Sequence, residues 1–206
     1  ADNLKISQHA DLVVFAVKPQ DLVSVMGQLK GRLDSTQAAL SIVAGAKMDT
    51  LTNGLDHQSI VRVMPNTPAQ VGAGMPLWTC SEGVDNLARE MTKSVLGTIG
   101  QEIYVSDEKY MDMATALSAS GPAYVFLFIE ALIDAGVYVG MPRDMARTLV
   151  LQTVFGSTKL VMDTGMHPAE LKDMVVSPGG TTAEALQVLE GEGVPAAIVS
   201  AVDAAY

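Results

Sequence analysis

The scarcities of this chain narrow its function before any motif is read. It carries one cysteine, Cys80, so no internal disulfide is possible. That fits a reducing, cytoplasmic compartment. Its histidines, His9, His57 and His167, lie far apart without paired ligand spacing, so no metal site is expected. Charged residues make up 17% of the sequence, and no run of Lys or Arg occurs. With a formal net charge of −10, the chain lacks the basic patches that nucleic acid or an anionic membrane surface requires. An anionic ligand has to be held by local dipoles against the field of the whole protein. The opening ADNLKISQHADL is polar and charged and does not read as a signal peptide. A G-x-G-x-x-G loop is also lacking. VGAGM (residues 71–75) has Gly72 and Gly74 but no third glycine and no helix pattern after it.

What is present is apolar. The 206 residues are 49% hydrophobic, enough for one large domain or two small ones. LVVFAV (12–17), ALSIVA (39–44) and IVRVM (60–64) are short β-branched runs, the pattern of strands covered on both faces. Helix-sized segments lie between them at 21–30 and 49–55, with Asp21 and Asp49 as acidic starts. Strands alternating with helices predict a parallel α/β sheet with right-handed crossovers. VDNLAREMTKSVLGTIG reads as a further helix ending at Gly100, and QEIYV as a further strand.

After about Asp107 no convincing strand follows. Five segments read as helices, separated by Gly/Pro joints, with Pro122, Pro142 and Pro168 in first-turn positions. The expected division is an α/β part over 1–106 and an all-helical part over 107–206. The most apolar stretch, residues 121–140, is interrupted by Glu130 and Asp134 on one helix face. It reads as a buried helix rather than a membrane span, which needs about 18 nearly uncharged residues. Helices this apolar suggest burial against a second copy, with a compact single-chain bundle as the alternative.

Ligands of open parallel sheets bind beyond the carboxyl ends of the strands. Here the turns are KPQ, AGA and PNTP. Lys18 meets a phosphate or ribose, or is a strand-end lysine in solvent. Ala44 and Gly45 leave room for a ring, or form an ordinary tight turn. Asn66 presents its amide to a ligand, or caps the turn. Later, VVSPGGTTAEAL (175–186) puts a flexible, donor-rich turn before a helix, which is either punctuation or an anion seat. Thr181 and Glu184 have capping-box spacing.

FAVKPQ, SIVAGAKMDTL, VRVMPNTPAQVGAGM, LSASGPAYVFLFIEAL and HPAELKDMVVSPGGTTAEALQVLE, in this order, resemble pyrroline-5-carboxylate reductase. The resemblance covers essentially the whole chain, and SPGGTT is its most specific part. Ala119 departs from it, standing where glycine is frequent in Ser-Gly-Ser-Gly-Pro. Compared with the family, the N-terminal segment with the glycine-rich phosphate loop and a short tail beyond Tyr206 are expected to be missing. The chain as given is then expected to be incomplete for cofactor binding.

The resemblance implies a partial Rossmann-type parallel sheet followed by a helical dimerisation domain. It implies reduction of the C=N bond of 1-pyrroline-5-carboxylate to L-proline by NADPH, with NADH as the other possible donor. It implies a homodimer, or a larger ring of dimers as in some members, with each site drawing on both chains. The implied cofactor-contacting residues are Val17, Lys18, Pro19, Ala44, Gly45 and Asn66. On the substrate side, Ser177, Gly180 and Thr181 hold the carboxylate, Thr182 stands next to the imine nitrogen, and Glu108 and Asp173 lie near. Read bare, Glu108 is an acid at a helix start and Asp173 a solvated helix-end charge. Two other readings stand beside this one: a related imine or β-hydroxyacid reductase, and a non-catalytic dimerising fragment.

Overall fold

The computed structural model describes residues 2–206. Packing divides them into two units, one running up to Pro122 and one spanning Ala123–Ala205.

The first unit is built on a five-stranded sheet. β1 (Leu12–Phe15), β2 (Ala38–Ser41) and β3 (Ile60–Met64) are parallel, β4 (Leu77–Cys80) runs antiparallel to β3, and β5 (Ile103–Tyr104) lies parallel to β4. The order in the sheet follows the chain. Helices α1 (Asn3–Ser7), α2 (Pro19–Leu29), α3 (Met48–Leu55) and α4 (Asn86–Gly97) accompany it. Side chains alternate across a strand, and here both faces are buried. Ala39 and Ile60 pack with Leu22, Met26, Leu29, Leu51 and Leu55 of α2 and α3. Ala38, Leu40, Val61, Val63 and Trp78 pack with Ala88 and Leu96 of α4. Continuous apolar runs are therefore what β2 and β3 need.

Three details depart from the sequence reading. α2 and α3 start at Pro19 and Met48, so Asp21 and Asp49 sit inside the first turn, near the positive helix end, and the N-caps are Lys18 and Lys47. β4 was not foreseen, and it makes the sheet parallel-dominated rather than wholly parallel. Its LWTC has the Leu, Trp and Thr of a strand but only four residues, a length at which periodicity carries little. α4 stops at Gly97, three residues before the expected Gly100.

The change in sequence pattern at 106/107 is not where packing divides. α5 (Lys109–Ala114) and the π-helical turn Thr115–Ala119 belong to the sheet unit, because Met111 and Ala116 are buried there.

The second unit continues α6 (Gly121–Tyr138) and adds α7 (Arg143–Thr164), α8 (Pro168–Met174), α9 (Thr181–Gly191) and α10 (Val194–Ala205). α10 was not foreseen. Pro168 opens α8 in its first turn, whereas Pro142 is the N-cap of α7. Among its described residues, Ala146 is the one that is buried. α6 is thus apolar without being covered: Phe126 and Leu127 are 59% and 67% exposed. The expectation of a buried helix fails within the single chain. By length and composition alone the helical run Lys109–Tyr138 would suffice to cross a membrane.

Candidate active site

The turns after β1, β2 and β3 lie at the carboxyl ends of three parallel strands. Lys18 is exposed, caps α2 with extended backbone only, and its ammonium pairs with no acid among the described residues. Val17 packs half-buried on the core, and Pro19 opens α2 where a missing N–H costs nothing. Ala44 and Gly45 are exposed. Gly45 has φ +75°, a left-handed conformation suited to glycine, with open space beside its Cα. Asn66 is half-buried, and its amide is occupied at both ends. Oδ1 accepts the Met75 N–H at 2.9 Å, and Nδ2 donates to the Ser118 carbonyl and hydroxyl at 3.4 and 3.3 Å. Lys18, Ala44 and Gly45 thus offer an exposed ledge of backbone with an ammonium at one side.

Glu108 is committed inside the same unit. Its Oε1 accepts from Arg62 Nη1 at 2.6 Å and from the Met48 N–H at 2.7 Å. Asp112 adds a longer contact to Arg62 Nη2, at 3.4 Å. Nearby, Asp107 lies below the usual carboxylate range because Lys109 donates to it from side chain and backbone. An open cleft of about 560 Å³, lined by Gln8, His9, Asp11, Arg32, Asp34 and Gln37, lies at the amino ends of β1 and β2. That is the end of a parallel sheet at which ligands do not bind.

In the helical unit, SPGG folds as a tight turn. Pro178 takes the second position, Gly179 has φ +66°, and the Gly180 N–H donates to the Ser177 carbonyl at 2.9 Å, the pattern of a type II turn. The Gly180 N–H, expected to face a carboxylate, is therefore used within the turn. Gly180 matters for what it lacks, since a Cβ there would collide with Ser177 Oγ. The capping box is not made either. Gly180 is the N-cap and Thr181 the first helical residue, so Thr181 and Glu184 are out of register for it. The N–H groups of Thr181 and Thr182 consequently have no acceptor among the described residues, at the positive end of an eleven-residue helix.

The hydroxyls of Ser177, Thr181 and Thr182 likewise have no partner among the described residues. Thr148, Thr158 and Thr164 each donate to the carbonyl four residues back, but Pro178, four before Thr182, lies outside the helix. Asp173 is exposed near the end of α8, in the segment that leads into this turn. Across the turn, Lys172 of α8 pairs with Glu190 of α9 at 3.0 Å, which raises the Lys172 ammonium above its usual range.

Residues 108–206 match the family model described as pyrroline-5-carboxylate reductase dimerisation. The chain is 42% identical over 205 residues to pyrroline-5-carboxylate reductase of Synechocystis, covering all of this chain and 76% of that protein. It belongs to the pyrroline-5-carboxylate reductase family. The Escherichia coli pyrroline-5-carboxylate reductase is also 42% identical, over 96% of this chain and 73% of its own length. The Plasmodium falciparum pyrroline carboxylate reductase, solved with NADP bound, superposes with a TM-score of 0.92 at 39% identity, covering all of this chain and 78% of that one.

The reductase family thus joins an α/β part and a helical part in one chain. Two residues of the sheet unit escaped the sequence reading, Arg62 and Ser118. Arg62 was legible as an anomaly, a guanidinium inside the apolar run IVRVM. Ser118 was not, because its partner Asn66 is distant in sequence and the π-helical turn that presents it leaves no local pattern.

Proposed function

We propose that this protein reduces 1-pyrroline-5-carboxylate to L-proline with hydride from a nicotinamide cofactor, the last step of proline biosynthesis. NADPH is the proposed donor, with NADH the alternative, and the proposed location is cytoplasmic. The carrying observation is the start of α9: two unpartnered backbone N–H groups, a helix dipole and the Ser177 hydroxyl gathered at one turn. Such a helix end is a ready carboxylate seat, worth roughly half a positive charge in a chain whose net charge is negative.

In this reading Ser177, Thr181 and the Thr182 N–H hold the substrate carboxylate, and Gly180 lets them approach. The Thr182 hydroxyl accepts a hydrogen bond from the protonated imine nitrogen, the iminium, and orients it, so that hydride arriving at the adjacent carbon would leave a neutral ring amine. Threonine has no acid pKa suited to donating a proton outright, so positioning supplies most of the rate. Asp173 is assigned to the substrate surroundings, whereas Glu108, assigned there by the resemblance, is already committed to Arg62 and the Met48 N–H and would not touch the substrate itself. Val17, Lys18, Pro19, Ala44 and Gly45 would hold the ribose and nicotinamide side, with Asn66 shaping the loop beside them through its bonds to Met75 and Ser118. When bound, the cofactor supplies hydride to the ring carbon next to the nitrogen. Two copies would associate through the region after residue 107 as a homodimer.

The test is a pair of assays on the purified natural full-length protein. Oxidation of NADPH on addition of 1-pyrroline-5-carboxylate supports the reading. Activity only with β-hydroxyacids, or none with either substrate, rejects it.

A further inference from the structure

We infer that Glu108 is a positioning residue, tethered by the buried Arg62, that fixes the turn after β2 where the nicotinamide side of the cofactor is proposed to lie. The inference rests on that cofactor reading. Arg62 stands in the middle of β3, opposite Ser41 of β2 and Thr79 of β4, with its side chain 3% exposed. A guanidinium in such a place is costly unless it is paired. Its Nε has no partner among the described residues, so it is held there by its two outer nitrogens, through the acids at the start of α5. The carboxylates, not the strand, set its orientation.

The two acids differ in what else they touch. Asp112 makes only the longer contact to Arg62. Glu108 uses one oxygen for two bonds, to Arg62 and to the Met48 N–H. Met48 opens α3, so this N–H is one of the donors that the helix itself leaves unmatched. Ala44 and Gly45 come just before it, and the turn they form is otherwise closed by the long 3.3 Å bond from the Ala46 N–H to the Val43 carbonyl. Gly45 is free to take many conformations. A fixed ledge therefore needs an external anchor, and the Glu108 oxygen is that anchor. One carboxylate oxygen thus joins the buried guanidinium to the start of α3.

The test compares Glu108→Ala, Glu108→Gln and Asp112→Ala in the natural full-length protein, by steady-state kinetics and by hydrogen exchange of the Met48 amide. Glu108→Ala is expected to raise the KM for the nicotinamide cofactor about tenfold, as loss of a charge-assisted bond implies. The KM for pyrroline carboxylate should stay within about twofold, and Met48 exchange should quicken. Glu108→Gln, whose Oε1 still accepts, should restore Met48 protection. Asp112→Ala, which weakens the hold on Arg62 without touching α3, should leave Met48 exchange and the cofactor KM nearly unchanged.

Unchanged cofactor KM or unchanged Met48 exchange in Glu108→Ala overturns the inference. So does a rise confined to the substrate KM, which would make Glu108 a direct substrate contact. A wild-type protein that does not use a nicotinamide cofactor removes the underlying reading and this inference together. Wild-type activity with an unaffected Glu108→Ala removes the inference alone.

Discussion

Asn66 and Ser118 are joined across 52 positions of sequence, the amide of the loop after β3 donating to the carbonyl and hydroxyl of the π-helical turn. The opposite end of the same amide takes the Met75 N–H at 2.9 Å. One side chain thus locks three segments of the sheet unit. π-helical turns recur at functional sites because they aim side chains that an α-helix would not.

Asn66→Asp and Asn66→Ala should separate these bonds. Aspartate keeps an oxygen for the Met75 N–H but turns a second, negative oxygen towards the Ser118 carbonyl. Alanine removes both interactions without adding repulsion. Loss of both sets of bonds in alanine, or of the Ser118 bonds with added repulsion in aspartate, should cost about 1–3 kcal/mol. Chemical denaturation should show aspartate to be at least as destabilising as alanine. An Asn66→Asp variant as stable as the wild type would show that the Ser118 contact has no energetic weight.

The architecture was legible wherever burial repeats in sequence. β2 and β3 read as strands because every residue in them is inside. α6 read as a helix because the run from Ala123 to Ala135 contains no Gly or Pro. What escaped depends on distance or on small geometry. β4 is too short for a pattern, and the Asn66 and Arg62 contacts join residues far apart in the chain. In SPGGTT the residue types left plain punctuation and an anion seat both open. Which N–H groups it offers could be read only from the turn, which spends the one on Gly180 and leaves those on Thr181 and Thr182.

Gly74 gives a second prediction. The glycines of VGAGM, which lack the third glycine of a phosphate loop, serve the fold: Gly72 ends a 3-10 turn with φ +71° and Gly74 bridges to Gly100 beside β4 and β5. An added Cβ on Gly74 would meet the Ile99 carbonyl oxygen at 2.7 Å and Ala69 Cα at 2.9 Å, both backbone atoms that cannot swing aside. Gly74→Ala should therefore destabilise the sheet unit by about 1–3 kcal/mol, the cost of overpacking. Gly97→Ala, where nothing lies within 4 Å, is the control and should be neutral or mildly stabilising in thermal melts.

The substrate seat gives a third. Thr182→Ala should lower kcat while fold and assembly survive, because the hydroxyl has no structural bond to lose. The loss should be smaller than the roughly 2–4 kcal/mol of an oxyanion donor, since the iminium is already electrophilic. Ser177→Ala should mainly raise the substrate KM. Gly180→Ala should do the same by another route, its new methyl displacing the Ser177 hydroxyl. Kinetics unaltered by the Thr182 change would remove that residue from the mechanism.

The last prediction concerns assembly. Across Ala123–Ala205, Ala146 is the one buried described residue, so this unit has no core of its own with which to offset the entropy of ordering five helices. Phe126, Leu127, Phe128 and Leu132 on α6, with Leu149 and Phe155 on α7, stand exposed. Covering each such side chain is worth about 1.5–3 kcal/mol, and residues 108–206 match a dimerisation model, so a second copy is the expected cover. The natural protein should therefore sediment as a homodimer, or a larger assembly of dimers, at micromolar concentration. Phe126→Glu combined with Leu127→Glu should dissociate it and lower the melting temperature of the helical unit together with its association. Strands of the sheet unit, which carry their own buried core, should keep their hydrogen-exchange protection in that variant. A wild-type protein that stays monomeric at micromolar concentration with its helical unit fully protected would show that the apolar faces are covered within one chain.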